Sequence, residues 1–272
     1  MIFVRDKGRM CNNLLQYAHV YAWGREHSRS TMSMRFAYKY PYFNIGHTKY
    51  HNFCTYVFAK YVASLGLLPV VSFNEEQADT AAQEQQMLSR RNLIVEGWYA
   101  RWYDLFLKYK PDILQLFRFN DNIEQHVADL LSPLIANSSP ILLGVHVRRG
   151  DYATWQKGRY YYTDQQYISL IRQFIGLHPD RQVHVFVCSN DPSLDRQCYY
   201  DELNGDVSFP NGTAGDDLCL LSHCHYLMGP PSTFTLVAAM YHDARLCWVT
   251  DAQAPLTTND FKPFEQLFRN II

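Results

Sequence analysis

Arg148, Arg149, Gly150 and Asp151 follow directly on Ile141-Leu142-Leu143-Gly144-Val145-His146-Val147. That apolar run is of the kind that forms a strand buried in a parallel sheet. Ligands of open α/β sheets bind beyond the carboxyl ends of the strands, so the arginine pair stands where a ligand would be met. A guanidinium offers a planar fork of N–H donors that grips phosphate oxygens bidentately. Gly150 permits a sharp turn and a close backbone approach. Asp151 has two chemical uses: it can orient an arginine, or it can accept a proton from an attacking hydroxyl. His146 is a second candidate for that base, and at the end of a buried strand it serves equally well as a structural histidine. The plain alternative for the whole cluster is a surface loop carrying an Arg–Asp pair.

A second stretch fits an anion. Gly229-Pro230-Pro231-Ser232-Thr233-Phe234-Thr235 runs from an apolar segment into a helical pattern. Ser232 or Thr233 can cap that helix, and the free N–H groups at a helix start attract negative charge. Asp217 precedes this stretch; its carboxylate suits the N1–H and exocyclic amine of guanine, or simple pairing with a helix dipole. No two aspartates are separated by a single residue, so the chain lacks the Asp-x-Asp pattern that holds a divalent ion on a diphosphate. Cys219, His223, Cys224 and His225 match no common zinc spacing and read as buried helix residues, not metal ligands. The expectation is that no metal is required.

These residues need elements to hold them. Ile2-Phe3-Val4 predicts a first strand, and Asn12 to His27 a helix with Leu14, Leu15, Ala18, Tyr21 and Ala22 on one stripe. Residues 31 to 75 show no clear period. Leu93 to Gly97 predicts a strand, and Tyr103 to Lys110 and Ile123 to Leu134 predict helices. Beyond a linker at Ala136 to Pro140, strands at 141–147, 183–188, 226–228 and 245–249 alternate with helices at 164–177, 216–224 and 232–241, the pattern of a doubly wound sheet. The 272 residues suit two domains of roughly 130 residues each, drawn as 1–138 and 139–272. Apolar residues make up 47% and charged residues 19%, with a net charge of −1. That balance is globular, and it gives no basic field for nucleic acid. The start lacks the order of a signal peptide, and the longest apolar stretch is too short to span a bilayer. The seven scattered cysteines read as reduced thiols. The location expected from these features is cytoplasmic, extending at most to a peripheral place at an inner membrane.

Gly-Val-His-Val-Arg-Arg-Gly-Asp-Tyr at 144–152 resembles the first signature of the alpha-1,2-fucosyltransferases, glycosyltransferase family eleven. Three further stretches fit in order. Asn12-Asn13-Leu14-Leu15-Gln16-Tyr17-Ala18 is similar to the family's N-terminal Gly-Asn-Gln-aromatic-Gln-Tyr-Ala. Val95-Glu96-Gly97-Trp98-Tyr99 is similar to its Gly-Tyr-Phe-Gln segment. Asp217-Leu218 through Ser232-Thr233-Phe234 is similar to its last signature. Departures stand at Arg9, Met10 and Cys11, where glycines are usual, at Asn13 in place of glutamine, and at Leu236 and Val237 in place of tryptophans. The resemblance implies an α/β fold of two Rossmann-like domains, similar to the GT-B class. In it the N-terminal domain meets the glycan acceptor and the C-terminal domain holds GDP-fucose. It implies catalytic roles for Arg149, Asp151 and His146. Substrate contacts are implied for Arg148, Asp217, Ser232, Thr233, Phe234, Asn12 and Asn13. The leaving group is then GDP, with Arg149 on its β-phosphate. The reaction implied is inverting transfer of L-fucose, alpha-1,2 to galactose. Another GDP-sugar, another fucosyl linkage, or an inactive GDP- or glycan-binding protein are the readings left open.

Overall fold

The computed structural model describes residues 1–76, 79–137 and 139–271. They form two compact units, Met1–Asn120 and Asp121–Ile272. The first unit contains β1 (Ile2–Arg5), α1 (Met10–Glu26), β2 (Thr31–Ser33), α2 (Phe53–Ser64), β3 (Val70–Ser72), α3 (Ala81–Ser89), β4 (Leu93–Glu96), α4 (Tyr103–Lys108) and α5 (Lys110–Leu116). Its four strands pair in the order β2-β1-β4-β3, and every pairing is parallel. Helix α1 is buried on nearly all sides, including the polar Asn13, Gln16 and His19, so it reads as a core helix and not as an amphipathic one. The aromatic stretch that shows no period in sequence builds a second layer of core. Phe36, Phe43, Phe117 and Phe119 pack with ring centroids 5.0 to 5.9 Å apart. Trp23 and Trp102 both donate their indole N–H to Glu84, which satisfies two polar tips inside an aromatic cluster. The helix expected over 103–110 is two helices, α4 and α5. They break at Tyr109, and α5 carries a proline in its first turn, where the missing N–H costs nothing.

The second unit contains α6 (Asp121–Asn137), β5 (Ile141–Val147), α7 (Asp164–Gly176), β6 (Val183–Ser189), α8 (Arg196–Glu202), β7 (Val207–Ser208), α9 (Ala214–Ser222), β8 (Tyr226–Gly229), α10 (Thr233–Tyr241), β9 (Arg245–Trp248) and α11 (Phe264–Phe268). Helix α6 groups with this unit, ahead of the linker at 136–140 on which the sequence places the division; Ser138 within that linker lies outside the described residues. The five strands run parallel in the order β7-β6-β5-β8-β9. Numbered within the unit this is 3-2-1-4-5, so the chain reverses its direction of travel between β5 and β8. Strand β5 is buried at all seven positions, as its continuous apolar run requires once neighbours pair on both edges. Thr163 and Gln166 form a reciprocal capping box at the start of α7, and Thr213 and Asp216 do the same for α9. The two parallel sheets are the Rossmann-like pair expected from the sequence. No helix among the described residues is long and apolar enough to cross a membrane.

Candidate functional site

The point where an open α/β sheet reverses its strand order leaves a crevice at the strands' carboxyl ends. In the second unit that point is flanked by β5 and β8. The loop after β5 carries Arg148 to Asp151, and the loop after β8 carries Gly229 to Ser232. The two loops are joined directly. Tyr152 donates its hydroxyl to the Pro231 carbonyl at 2.5 Å, and the His146 ring lies against Phe234 with centroids 4.9 Å apart. Gly229 is required for this closeness: a Cβ there would sit 2.7 Å from the His146 carbonyl oxygen. Gly150 adopts a φ of +29°, in the left-handed region that side chains disfavour.

The two arginines have different surroundings. Arg149 is 5% exposed. Its Nε donates to the Tyr162 carbonyl at 3.0 Å, its Nη1 to Asp164 at 3.3 Å and Asp191 at 3.2 Å, and its Nη2 to Asp164 at 2.5 Å. Burial opposes its charge, but the hydrogen bonds to Asp164 and Asp191 outweigh it and raise its pKa further. Asp164 opens α7 and also accepts from the Tyr199 hydroxyl at 3.1 Å. Asp191 lies just past the carboxyl end of β6, and bonds from Ser193 and then from Arg149 hold it below the usual carboxylate range. Arg149 is thus a buried tie between the loop, α7 and β6. Arg148 is held at one edge only. Its Nη2 meets both oxygens of Asp151, at 3.1 and 3.4 Å, and its guanidinium carbon stands 4.8 Å from the Tyr152 ring centroid. Its Nε is buried without a hydrogen-bond partner. Arg148 therefore keeps donor capacity for a ligand, where Arg149 has spent its fork on carboxylates.

Ser232 caps α10, its side chain accepting from the Phe234 N–H at 3.1 Å, and Thr233 is the first helical residue. Asp217 lies in the first turn of α9. Burial, and then the charge of Asp216, push its pKa up to about 7, and a hydrogen bond from Cys188 at the end of β6 works in the opposite direction. His146, Arg148, Arg149, Asp151, Ser232, Thr233 and Phe234 are gathered around the two joined loops, and Asp217 sits beside the end of β6, the strand paired with β5. Asn12 and Asn13 belong to the first unit, at the start of α1. Asn13 is fully buried and donates to the Gly8 carbonyl at 3.3 Å. Gln16 accepts from the Lys7 N–H and donates to the Lys7 carbonyl, so Asn13 and Gln16 together brace the loop before the helix. Sequence reasoning missed Asp164, Asp191 and Tyr152. Asp164 and Asp191 come from separate elements with no shared spacing, while Tyr152 lay within the first signature and was available to it.

The family description glycosyl transferase family 11 matches residues 78–253. Galactoside alpha-(1,2)-fucosyltransferase 2 of Gorilla gorilla gorilla is 24% identical over 85% of this chain and 66% of its own length. Galactoside 2-alpha-L-fucosyltransferase Sec1 of Mus musculus is 23% identical over 99% of this chain and 70% of its own. Among solved structures, an Arabidopsis thaliana FUT1 mutant in complex with GDP aligns with a TM-score of 0.62 at 14% identity, covering 91% of this chain and 70% of that one. The fucosyltransferase NodZ from Bradyrhizobium aligns at 0.56 and 16%, covering 91% and 94%. The fold is shared with both. The matched stretch takes in β4 through β9, and with it both joined loops, Asp217 and the switch point. On that extent the chain belongs to glycosyl transferase family 11.

Proposed function

We propose that this protein transfers L-fucose from GDP-fucose to a glycan hydroxyl, position 2 of galactose, with inversion at the sugar's anomeric carbon. The observation that carries the reading is the pair of joined loops at the β5–β8 switch point, where Arg148 retains donor capacity beside the capped start of α10. The names of the two mammalian relatives support the acceptor, and the GDP in the FUT1 complex supports the donor. In the reaction the bond between the fucose C1 and the β-phosphate oxygen breaks while the acceptor oxygen bonds to C1 from the opposite face and gives up its hydroxyl proton to the departing diphosphate or to solvent. Negative charge grows on the departing diphosphate, so the useful protein groups are fixed positive charge and N–H donors aimed at it.

The geometry favours Arg148 for that charge. Arg149 then acts as a positioning residue, fixing the loop through Asp164 and Asp191. Asp151 orients Arg148, whose Nη2 donates to both of its carboxylate oxygens. The N–H groups opening α10, with Thr233, add donors for phosphate. Asp217 receives the guanine edge. His146 packs on Phe234 and sets the height of the crevice floor. A divalent ion has no assigned part in leaving-group departure. The test is transfer of labelled fucose to a galactoside, with and without excess EDTA, beside calorimetry with GDP, UDP and CDP. Transfer that survives EDTA, with GDP bound tightest, is expected. Tighter UDP binding would overturn the donor, and loss of transfer restored by manganese would overturn the arginine's role.

A further inference from the structure

Helices α6 and α9 pack against each other, and their shared face holds side chains that sugar transfer does not use. Cys219 and His223 stand at i and i+4 and so project from one side of α9. Glu124, in the first turn of α6, meets both. Its Oε2 lies 3.9 Å from Cys219 Sγ and 3.6 Å from His223 Nε2. The three ligand atoms all fall within 4.8 Å of one another. Tetrahedral zinc holds sulfur at about 2.3 Å and nitrogen or oxygen at about 2.0–2.2 Å, which sets neighbouring donors roughly 3.3–3.7 Å apart. The three atoms outline one face of such a tetrahedron, somewhat expanded.

We propose that Glu124, Cys219 and His223 bind one zinc ion that pins α6 to α9, a role beyond and independent of the transferase reading. The donor set argues for that ion. A thiolate, an imidazole and a carboxylate suit zinc, whereas magnesium and calcium call for oxygen ligands throughout. Cys219 is fully buried, and burial followed by the neighbouring Glu124 holds its thiol protonated. Without a cation the thiol can offer Glu124 only a weak hydrogen bond. On binding, the sulfur–hydrogen bond breaks, a zinc–sulfur bond forms and the proton leaves to solvent. Burial keeps the His223 imidazole neutral, the form that ligates. Its ring is held against His242, centroids 4.5 Å apart, and His242 is itself fixed by donating from Nδ1 to the Ser222 carbonyl at 3.0 Å. The stack fixes the orientation of the His223 ring. His223 and Glu124 are 32% and 39% exposed, which leaves an entry path and an open fourth position for water. Nearby, His126 of α6 bonds Asp216 of α9 at 3.0 Å, so the two helices are already held in register. The spacing in α9 alone does not match a zinc motif because the third ligand arrives from a residue 95 positions away.

The test uses the full chain without a histidine tag, stripped with a chelator and dialysed. Zinc is titrated in competition with a chromophoric chelator, and cobalt is titrated by absorbance. One equivalent of zinc is expected, together with a cobalt–thiolate charge-transfer band. Cys219→Ser, His223→Gln and Glu124→Gln should each weaken binding by about tenfold or more, and Cys219→Ser should abolish the band. Cys54→Ser, which alters an exposed thiol outside the cluster, should change neither. Zinc should raise the melting temperature of the wild type and not that of Cys219→Ser. The part-exposed Glu124 and His223 variants keep the test valid if the buried cysteine variant folds poorly. Absence of stoichiometric zinc, or equal affinity in the wild type and in the Glu124 and His223 variants, would overturn the proposal. Continued fucosyl transfer by the stripped protein is expected, so failure of the zinc site and failure of the transferase reading are distinguishable.

Discussion

At the level of single residues, the adjacent arginines are expected to fail in different ways. Lysine keeps a charge but not a fork. In Arg148→Lys the group facing the diphosphate loses its bidentate geometry, and kcat/KM should fall by about 10²-fold or more, as when one oxyanion donor is removed. The melting temperature should barely move, because among the described residues the Arg148 side chain is tied to Asp151 and Tyr152, both on its own loop. In Arg149→Lys the charge stays, but the fork that ties the Tyr162 carbonyl, Asp164 and Asp191 together is lost, so a lowered melting temperature should accompany the loss of rate. Steady-state kinetics beside thermal melts separate the two, and the opposite assignment of rate and melt effects would reverse the roles. Asp217 supplies a second prediction. Its carboxyl, raised to about 7 by burial and by Asp216, must ionise to accept from guanine. GDP should therefore bind about tenfold more weakly at pH 6 than at pH 8. Asp217→Asn removes this dependence while leaving any contribution from the phosphates themselves. Calorimetry at both pH values on both proteins checks it; an identical pH dependence in the variant would take Asp217 out of the guanine site.

At the level of elements, the switch point is built from two loops that are joined directly. Tyr152→Phe deletes the hydroxyl that reaches the Pro231 carbonyl and leaves that acceptor short of a donor at a cost of about 1–3 kcal/mol. Because the bond fixes the arginine loop against the start of α10, kcat/KM should fall with stability. A melt unchanged from wild type would show that the loops are held together by other means. The strands and helices around this junction were legible in the sequence for physical reasons. β5 is a seven-residue apolar run, buried throughout. The start of α10 announced itself by Ser232 after two prolines, and the start of α9 by its acidic first turn. What could not be read was set by contacts distant in the chain. Arg149 was recognised, but its burial against Asp164 and Asp191 depends on α7 and β6 converging. The sequence therefore assigned it to phosphate, a contact that the function proposed above gives to Arg148. In the first unit α2 carries apolar residues on every side and leaves Phe53, Phe58 and Tyr61 exposed, so no period marked it. β2 and β3 have three residues each, too few for alternation to register.

At the level of the whole molecule, the same contest between burial and charge governs stability. Asp6, 2% exposed at the end of β1, accepts from the Ser33 hydroxyl at 2.6 Å. His51 accepts the Ser33 N–H on Nε2 at 2.9 Å. Burial pushes Asp6 up to about 7, while it pulls His51 down to about 4. Both are therefore neutral in the fold between about pH 4 and 7. In the unfolded chain the carboxyl ionises near 4 and the imidazole near 6.5. Between pH 4 and 6.5 the folded state thus holds one proton more than the unfolded at Asp6 and one fewer at His51. Stability from Asp6 falls as pH rises through this window, and stability from His51 rises by a comparable amount. The two slopes oppose each other in the wild type, and substitution should expose them. Relative to wild type, Asp6→Asn should gain stability with rising pH between 4.5 and 6.5, and His51→Gln should lose it, each by about 1 kcal/mol per pH unit. Other buried groups, Asp217 and His19 among them, act in all three proteins and drop out of the difference. Urea unfolding at three pH values across the window is the measurement. Parallel curves for the three proteins would show that the Asp6–Ser33–His51 network does not keep both groups neutral.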